Sequence, residues 1–377
     1  MKTKIIAALL LLIVVGIGIR FATHSPSPPA KPVMAAPDYE KYDYGRADET
    51  RVIDIGVQPN GIYTGDYLFH DRILRQQLAA EGWTLREHPF RNGKEMVPYC
   101  DGRLDVMLLG DIPALVAMNQ YPIGIFALHR HGANSIIARR RMIPAELKGL
   151  RIGYPPNTTV HFALDRTLQA VNLTLNDITS VPMLTNEMEA ALRGNTVDAI
   201  ATWEPIASTI LAIPGTAVVS ASEGFTYIAI NLEFATRHPH LQKALLAAVV
   251  RASKWARTDE QNIRTSLLWT RDAGVTFFGS SLVKVDDMWI GLFRKESIDN
   301  PSYPMLPLNF NDDQSIQRQQ FEFLKKIGVL PAAADWKTII SRVDTGLLPA
   351  IIADSRWQTD RFDYSPDHLY RGKGGTP

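Results

Sequence analysis

The sequence predicts an α/β fold in which mostly parallel sheets are flanked by helices. Residues 147–207 alternate apolar segments of strand length with segments whose apolar residues recur at helical spacing. Strands joined by helices of this length are typical of parallel sheets, because a parallel connection must cross over through a helix. The chain has 377 residues, which is enough for two domains with their own cores.

The net charge, the cysteine count and the spacing of the histidines argue against several kinds of partner and site. The formal net charge is +1, so the overall charge does not favour nucleic acid as a partner. Cys100 is the only cysteine, which excludes an internal disulfide, and such a lone residue is most often a small buried apolar one. The pairs His129/His131 and His238/His240 have no Cys, Asp or Glu at ligand-like spacing. We therefore predict no metal site and no cofactor.

Residues 1–37 are predicted to be a targeting segment and spacer. Lys2 and Lys4 precede an apolar run at 5–19, which is typical of a secretory signal and short for a membrane span. No small-x-small cleavage triplet follows the run directly, so cleavage and retention as an N-terminal membrane anchor both stay open. Either outcome places the rest of the chain outside the cytoplasm.

Elements in the first part of the chain are predicted from alternating or continuous apolar runs. We expect strands at 52–57, 83–90, 104–109, 124–128 and 134–138, and helices at 69–78, 93–101 and 114–119. The helix at 114–119 has a recognisable start, because Asp111 precedes it and Pro113 falls in its first turn.

The central and later parts of the chain continue the alternation. We expect strands at 150–154, 178–182, 197–201 and 226–231, and helices at 160–171, 186–193 and 239–257. The region 259–306 is predicted to be helical, and the tail 309–377 to hold one clear helix at 315–326.

Candidate ligand contacts follow the predicted strands at their carboxyl ends, where ligands of parallel sheets bind. Asn157, Thr158 and Thr159 open a helix, with His161 in its first turn. The unpaired N–H groups of a helix start, its dipole and the two hydroxyls suit an anion. Asn and Thr are also common helix caps, and a plain cap is the alternative interpretation.

The next candidates are Gly110, Asp111 and Ile112 from one loop and Trp203 and Glu204 from another. Glycine lets the backbone approach a ligand closely. We expect the Asp111 side chain to cap the following helix, because a carboxylate repels an anion. Trp203 is as readily a core residue as a cleft wall. Glu204 either caps the next helix or suits a ligand that carries an amine.

Gln58 and Asn60 follow the first predicted strand, where their amides can bind a ligand oxygen, although Asn60 is equally typical of a turn. No Arg or Lys falls at any of these loop positions. The sequence therefore favours an anion held by dipoles and hydroxyls, or a ligand that is not an anion.

Four segments together resemble the periplasmic solute-binding proteins of the nitrate, sulfonate and taurine uptake family. They read CDGRLDVMLLGDIPALVA, LKGLRIGYPPNTTVHF, MEAALRGNTVDAIATWEP and YIAINLEFATRHPHLQKALLAAVVRASKWA. The resemblance covers about residues 52–256, and its specificity lies in the order and spacing of the segments. The GDIP tetrapeptide at 110–113 is most similar to the aliphatic-sulfonate binders.

The resemblance implies a type II periplasmic binding protein fold. Lobe 1 would comprise residues 51–135 and 222–306, lobe 2 residues 136–221, and a helical extension residues 307–377. It also implies a monomeric, periplasmic component of an ABC importer that binds a small polar organic ligand, an aliphatic sulfonate first, and passes it to a permease without catalysing a reaction.

Two other functions stay open. One is an enzyme of the pyrimidine or thiamine-precursor type on the same fold, for which the sequence offers no identifiable nucleophile–base pair. The other is a membrane-anchored ligand sensor that serves no transporter, which an uncleaved N-terminal segment would favour.

Overall fold

The computed structural model describes Tyr44 and residues 51–59 and 67–369. The targeting segment predicted at 1–37 lies outside these residues, and so does Asn60. The strands are β1 Val52–Val57, β2 Thr84–Pro89, β3 Val106–Gly110, β4 Ile123–Ala138, β5 Arg151–Tyr154, β6 Thr179–Pro182, β7 Ala199–Trp203 and β8 Ala217–Asn231.

These strands form one sheet in the order β2-β1-β3-β8-β4-β7-β5-β6. At one end β1 pairs in parallel with β2 and β3, and at the other β5 pairs in parallel with β6 and β7. The long strands β8 and β4 pair antiparallel with each other and join the two parallel groups. The predicted α/β class is confirmed. The boundaries predicted for the two lobes stay a prediction.

Strand β4 differs from the expectation of separate strands at 124–128 and 134–138. It is continuous, and its pairing with β8 shifts register between Leu128 and Arg130. Such a bulge bends a strand without ending it, whereas the polar residues 129–132 interrupt the apolar pattern on which the prediction relied. Strand β8 likewise begins nine residues before the predicted 226–231, because residues 217–225 pair with the second half of β4.

Helices cover the sheet and form the C-terminal part of the chain. They are α1 Tyr67–His70, α2 Arg72–Ala80, α3 Gly93–Met96, α4 Asp111–Gln120, α5 Thr159–Gln169, α6 Met188–Arg193, α7 Ile206–Leu211, α8 Leu232–Arg237, α9 Pro239–Thr258, α10 Glu260–Phe278, α11 Asp287–Phe293, α12 Ile316–Lys326, α13 Trp336–Ile340 and α14 Leu347–Ala353. A π-helix, Arg294–Ile298, follows α11.

The helix predicted at 69–78 is divided into α1 and α2 at Asp71. The Asp71 carboxylate accepts a hydrogen bond from the Leu74 amide at 3.0 Å and so begins a new helix. The same carboxylate lies 2.7 Å from Arg251 Nη2 of α9, in a fully buried ion pair that joins α2 to α9.

The first parallel group has apolar cores on both faces. Val106 and Leu108 belong to one buried cluster and Met107 and Leu109 to another, because successive side chains of a strand point to opposite faces. The second parallel group packs mainly against α5, whose buried residues share a cluster with Ile152 of β5.

The tail after residue 307 packs on the body of the protein, with three helices instead of the one predicted. Phe321 and Leu324 of α12 and Trp336 of α13 lie in the same core cluster as α4. Helix α12 also contacts α5, since Lys326 Nζ lies 3.2 Å from the Asp165 carboxylate. No helix of the described ranges is long and apolar enough to cross a membrane.

Candidate functional site

A cleft opens where several strands of the two parallel groups end. Its inner end has a volume of about 100 Å³ and continues into an outer mouth of about 590 Å³. The two parts are continuous because they share the lining residues Gln58, Asn92, Lys94, Thr158 and Trp203. Gln58 follows β1 and Trp203 ends β7, so the cleft lies at the rim that the parallel connections predict.

Five of the predicted residues line the inner end, namely Gln58, Gly110, Thr158, Thr159 and Trp203. The Gln58 amide nitrogen donates to the Leu108 carbonyl at 2.6 Å, so β3 fixes the orientation of that side chain. Trp203 is half-buried, lines the cleft and also packs on the core cluster under α5, so both of its interpretations hold.

Thr158 and Thr159, at the start of α5, have different roles. Thr158 Oγ1 donates to the Pro155 carbonyl at 2.7 Å, so this hydroxyl holds the preceding turn and has no second proton to donate. The Thr158 carbonyl accepts from the His161 and Phe162 amides, so intrahelical bonding begins there and the amides before His161 have no intrahelical partner. Thr159 Oγ1 has no hydrogen-bond partner among residues 51–59 and 67–369.

Asn157 and His161 do not line the cleft but shape the turn beside it. Asn157 has a φ of 62°, a left-handed conformation that asparagine tolerates. Its backbone N–H donates to His161 Nδ1 at 3.2 Å. The His161 ring stacks on Tyr154 with a centroid distance of 4.9 Å. Burial lowers the pKa of His161, and because Nδ1 accepts from the Asn157 backbone amide, the proton of the neutral ring lies on Nε2.

The prediction that Asp111 caps its helix with its side chain is wrong. Gly110 occupies the cap position, and the buried Asp111 carboxylate points to β8 instead. One oxygen accepts from the Tyr227 hydroxyl at 2.7 Å and the other from the Phe225 amide at 2.8 Å. Burial raises the pKa of Asp111 to about 6. Ile112 is also buried, and neither residue lines the cleft.

Glu204 follows the helix-capping interpretation. Its carboxylate accepts from the Ser208 amide of α7 at 2.9 Å, and its side chain does not line the cleft. Its backbone carbonyl lies 3.3 Å from Arg130 Nη2.

No Arg or Lys falls at the predicted loop positions, but two cations reach the cleft from other elements. Lys94 of α3 lines both parts of the cleft, and Arg130 of β4 lines the inner end. Lys94 was missed because it lies inside a helix, although that helix follows the carboxyl end of β2. Arg130 was missed because it lies within a strand, where sequence position does not show which side chains face a cavity. Asn92, Asn134 and Thr226 also line the inner end without having been predicted.

Among the described residues that line the cleft there is no cysteine and no cluster of metal-ligating side chains. Cys100 is fully buried, and burial raises the pKa of its thiol to about 12, which leaves almost no nucleophilic thiolate at neutral pH. Within the part of the chain that the structure describes, no three or more His, Cys, Asp or Glu residues are grouped so that they could hold a metal ion.

Comparison with known proteins agrees with the sequence motifs. Residues 110–269 match the model of the NMT1-like family, and this range contains the GDIP loop, the start of α5 and Trp203. The match supports the family predicted from the sequence. No curated protein sequence matches the chain.

Three solved structures show the same fold. The aliphatic sulphonate binding protein SsuA from Escherichia coli has a TM-score of 0.62 at 18% identity, covering 80% of this chain and 99% of that one. The alkanesulfonate-binding protein SsuA from Xanthomonas axonopodis pv. citri, bound to MOPS, has a TM-score of 0.60 at 18% identity over 78% and 99%. The nitrate-binding protein NrtA from Synechocystis PCC 6803 has a TM-score of 0.55 at 14% identity over 84% and 92%.

Proposed function

We propose that this chain, whose residues 110–269 match the NMT1-like family, is the substrate-binding component of an ABC importer for small organic anions. Its first-choice ligand is an aliphatic sulfonate, bound in the cleft between the two parallel groups of the sheet. The protein acts in the periplasm as a monomer and passes the ligand to a membrane permease. Binding is its whole role in this proposal, and no reaction is assigned to it.

The observation that most directly supports this proposal is that the start of α5 and the ammonium group of Lys94 line the same small cavity. The N–H groups and positive dipole end of α5 favour negative charge, and Thr159 adds a hydroxyl donor. Lys94 forms no ion pair with any residue of the described ranges, so its charge is available to a ligand. Together these groups suit the oxygen atoms of an anionic head group.

The outer mouth favours an organic ligand over an inorganic one. Apolar side chains from four places in the chain line it, namely Met183, Leu184, Ile206, Phe278 and Leu282. An alkyl substituent placed there would be removed from water while the head group stays at the start of α5. The Xanthomonas axonopodis protein of the same fold is bound to MOPS, which is itself a sulfonate with a bulky substituent.

A thermal-shift screen tests the proposal. The probes are methanesulfonate, butanesulfonate, taurine, nitrate and a neutral sugar, each at millimolar concentration. Because a ligand that binds only the folded state adds about 2.7 kcal/mol at a hundred-fold excess over its Kd, a true ligand raises Tm measurably. We expect the largest shift with butanesulfonate and none with the sugar.

A matched pair of lysine variants gives the control. Lys94→Met should abolish the shift with sulfonates, whereas Lys148→Met, at an exposed position outside the cleft, should leave it unchanged. If no anion shifts the Tm of the parent protein, or if both variants respond like the parent, the cleft is not an anion site of this kind.

A further inference from the structure

Arg130 lines the inner end of the cleft, and its positive charge is paired with the carboxyl group of Glu296. Its Nη2 donates to Glu296 Oε1 at 2.9 Å, and its Nε lies 2.7 Å from Glu296 Oε2. The two contacts place the guanidinium against the carboxyl group as an ion pair, in which the Nη2–Oε1 contact is a hydrogen bond. Burial raises the pKa of Glu296, and the adjacent Arg130 opposes that rise.

The ion pair lies directly behind the cleft wall. Gly132 lines the inner end, and a Cβ placed on it would lie 2.6 Å from Glu296 Oε1 and 2.8 Å from Arg130 Nη2. The Glu296 side chain is only 2% exposed and belongs to the π-helix after α11, far in sequence from Arg130 and Gly132. A carboxylate is costly to bury, so its position against this arginine is specific.

The remaining charges leave one uncompensated cation at the inner end. Among the residues that the structure describes, Lys94 and Arg130 are the only ionisable side chains that line it, and Glu296 offsets the charge of Arg130. At the outer mouth Glu95 is paired with Arg91, whereas Glu187 accepts from the Leu184 amide and has no ion-pair partner among the described residues, so it adds no positive charge for a ligand. A ligand head group with a single negative charge would therefore neutralise Lys94. A second negative charge on the ligand would have no cation at the inner end to pair with.

We propose that Glu296 sets the charge selectivity of the cleft, so that the protein binds monoanions in preference to dianions of the same size. This inference rests on the proposed function only in taking the ligand to be an anion. The free energy needed to remove an ion from water rises with its charge, and attraction to the fixed charges of the site must offset it. With Glu296 ionised, Lys94 and the start of α5 can do so for one charge.

Calorimetry with methanesulfonate and sulfate tests the inference, because the two ions have nearly the same shape and differ by one charge. The parent protein should bind methanesulfonate at least about ten-fold more tightly than sulfate. Glu296→Gln keeps the size of the side chain but releases the charge of Arg130. It should raise the affinity for sulfate by about ten-fold or more and reduce the preference for methanesulfonate, since charges interact strongly where water is excluded.

A second variant keeps the test decisive if Glu296→Gln does not fold. The double variant Arg130→Gln, Glu296→Gln removes both charges, so it should retain the parent's preference for methanesulfonate. Equal affinities of the parent for the two ions, an unchanged sulfate affinity in folded Glu296→Gln, or a sulfate preference in the double variant would each overturn the inference. Failure of the parent to bind either ion would instead contradict the proposed function itself.

Discussion

The side chain of Thr159 offers the sharpest test of where the ligand lies. Its hydroxyl lines the inner cleft at the first position of α5 and has no hydrogen-bond partner within the described ranges. Thr159→Val removes that hydroxyl and keeps the shape and β-branching of the side chain. The helix start itself is unaffected, because its backbone bonds run from the Thr158 carbonyl.

The expected loss follows from the charge of the ligand. A hydrogen bond to a charged group contributes about 1.5–3 kcal/mol, and about 1.4 kcal/mol corresponds to ten-fold in affinity. Thr159→Val should therefore weaken sulfonate binding by about ten- to hundred-fold. The free energy of unfolding should change by less than about 0.5 kcal/mol, as is usual for a substitution that breaks no internal contact.

The neighbouring threonine is the matched control. Thr158→Val breaks the hydrogen bond to the Pro155 carbonyl, so it should lower the free energy of unfolding by about 1 kcal/mol. Its effect on affinity should be smaller than that of Thr159→Val, since its only proton is already donated within the turn.

Isothermal titration calorimetry of both variants with butanesulfonate, beside urea unfolding of each, separates the two effects. An affinity equal to the parent's in a folded Thr159→Val protein would refute the reasoning. The start of α5 would then be a helix terminus without a role in binding, and the ligand would lie elsewhere.

Three further outcomes are expected. If the two parallel groups close on the ligand, small-angle scattering should give a smaller radius of gyration at saturating butanesulfonate, and an unchanged radius would argue against a hinge. Trp203→Ala should weaken binding about five-fold or more through the loss of apolar contact area, as calorimetry would show, and parent-like affinity would make the indole a core residue only. Asp105 immediately precedes β3, and its carboxylate accepts from the Asp54 backbone amide at 3.0 Å. Burial raises the pKa of Asp105 to about 7, so its contribution to stability declines as pH rises from about 4 to 7. Asp105→Asn should thus be more stable than the parent by about 2–4 kcal/mol at pH 8 and nearly equal at pH 4, and equal urea midpoints at both values would contradict this.

The sequence predicted the sheet better than the cavity it supports. Runs such as 52–57 and 104–109 are apolar and short, so their strands were located to within about two residues. The continuity of β4 was hidden because a bulge and four polar or glycine residues interrupt its pattern. Local periodicity records which residues are buried, and it does not record which strands continue through a bend.

Local sequence patterns predicted the residues of the candidate site less completely than the strands. Gln58 was predicted from its position after a strand, and Thr159 from the helix start together with the family resemblance. Lys94 and Arg130 needed the three-dimensional structure, because one lies in a helix and the other in mid-strand. Glu296 lies 166 residues from Arg130 along the chain, and no local pattern connects them.

Helix α12 bears on how long a ligand stays bound. It is packed against α4 through Phe321 and against α5 through Phe323 and Lys326. A rotation that moves α5 away from α4 must break one set of these contacts. The pair between the exposed Lys326 and the buried Asp165 contributes about 1 kcal/mol and the Phe323–Phe162 contact about 0.5–1.5 kcal/mol. Since about 1.4 kcal/mol is ten-fold in rate, the C-terminal extension should lengthen the residence time of the ligand by roughly ten-fold, at the expense of rapid exchange.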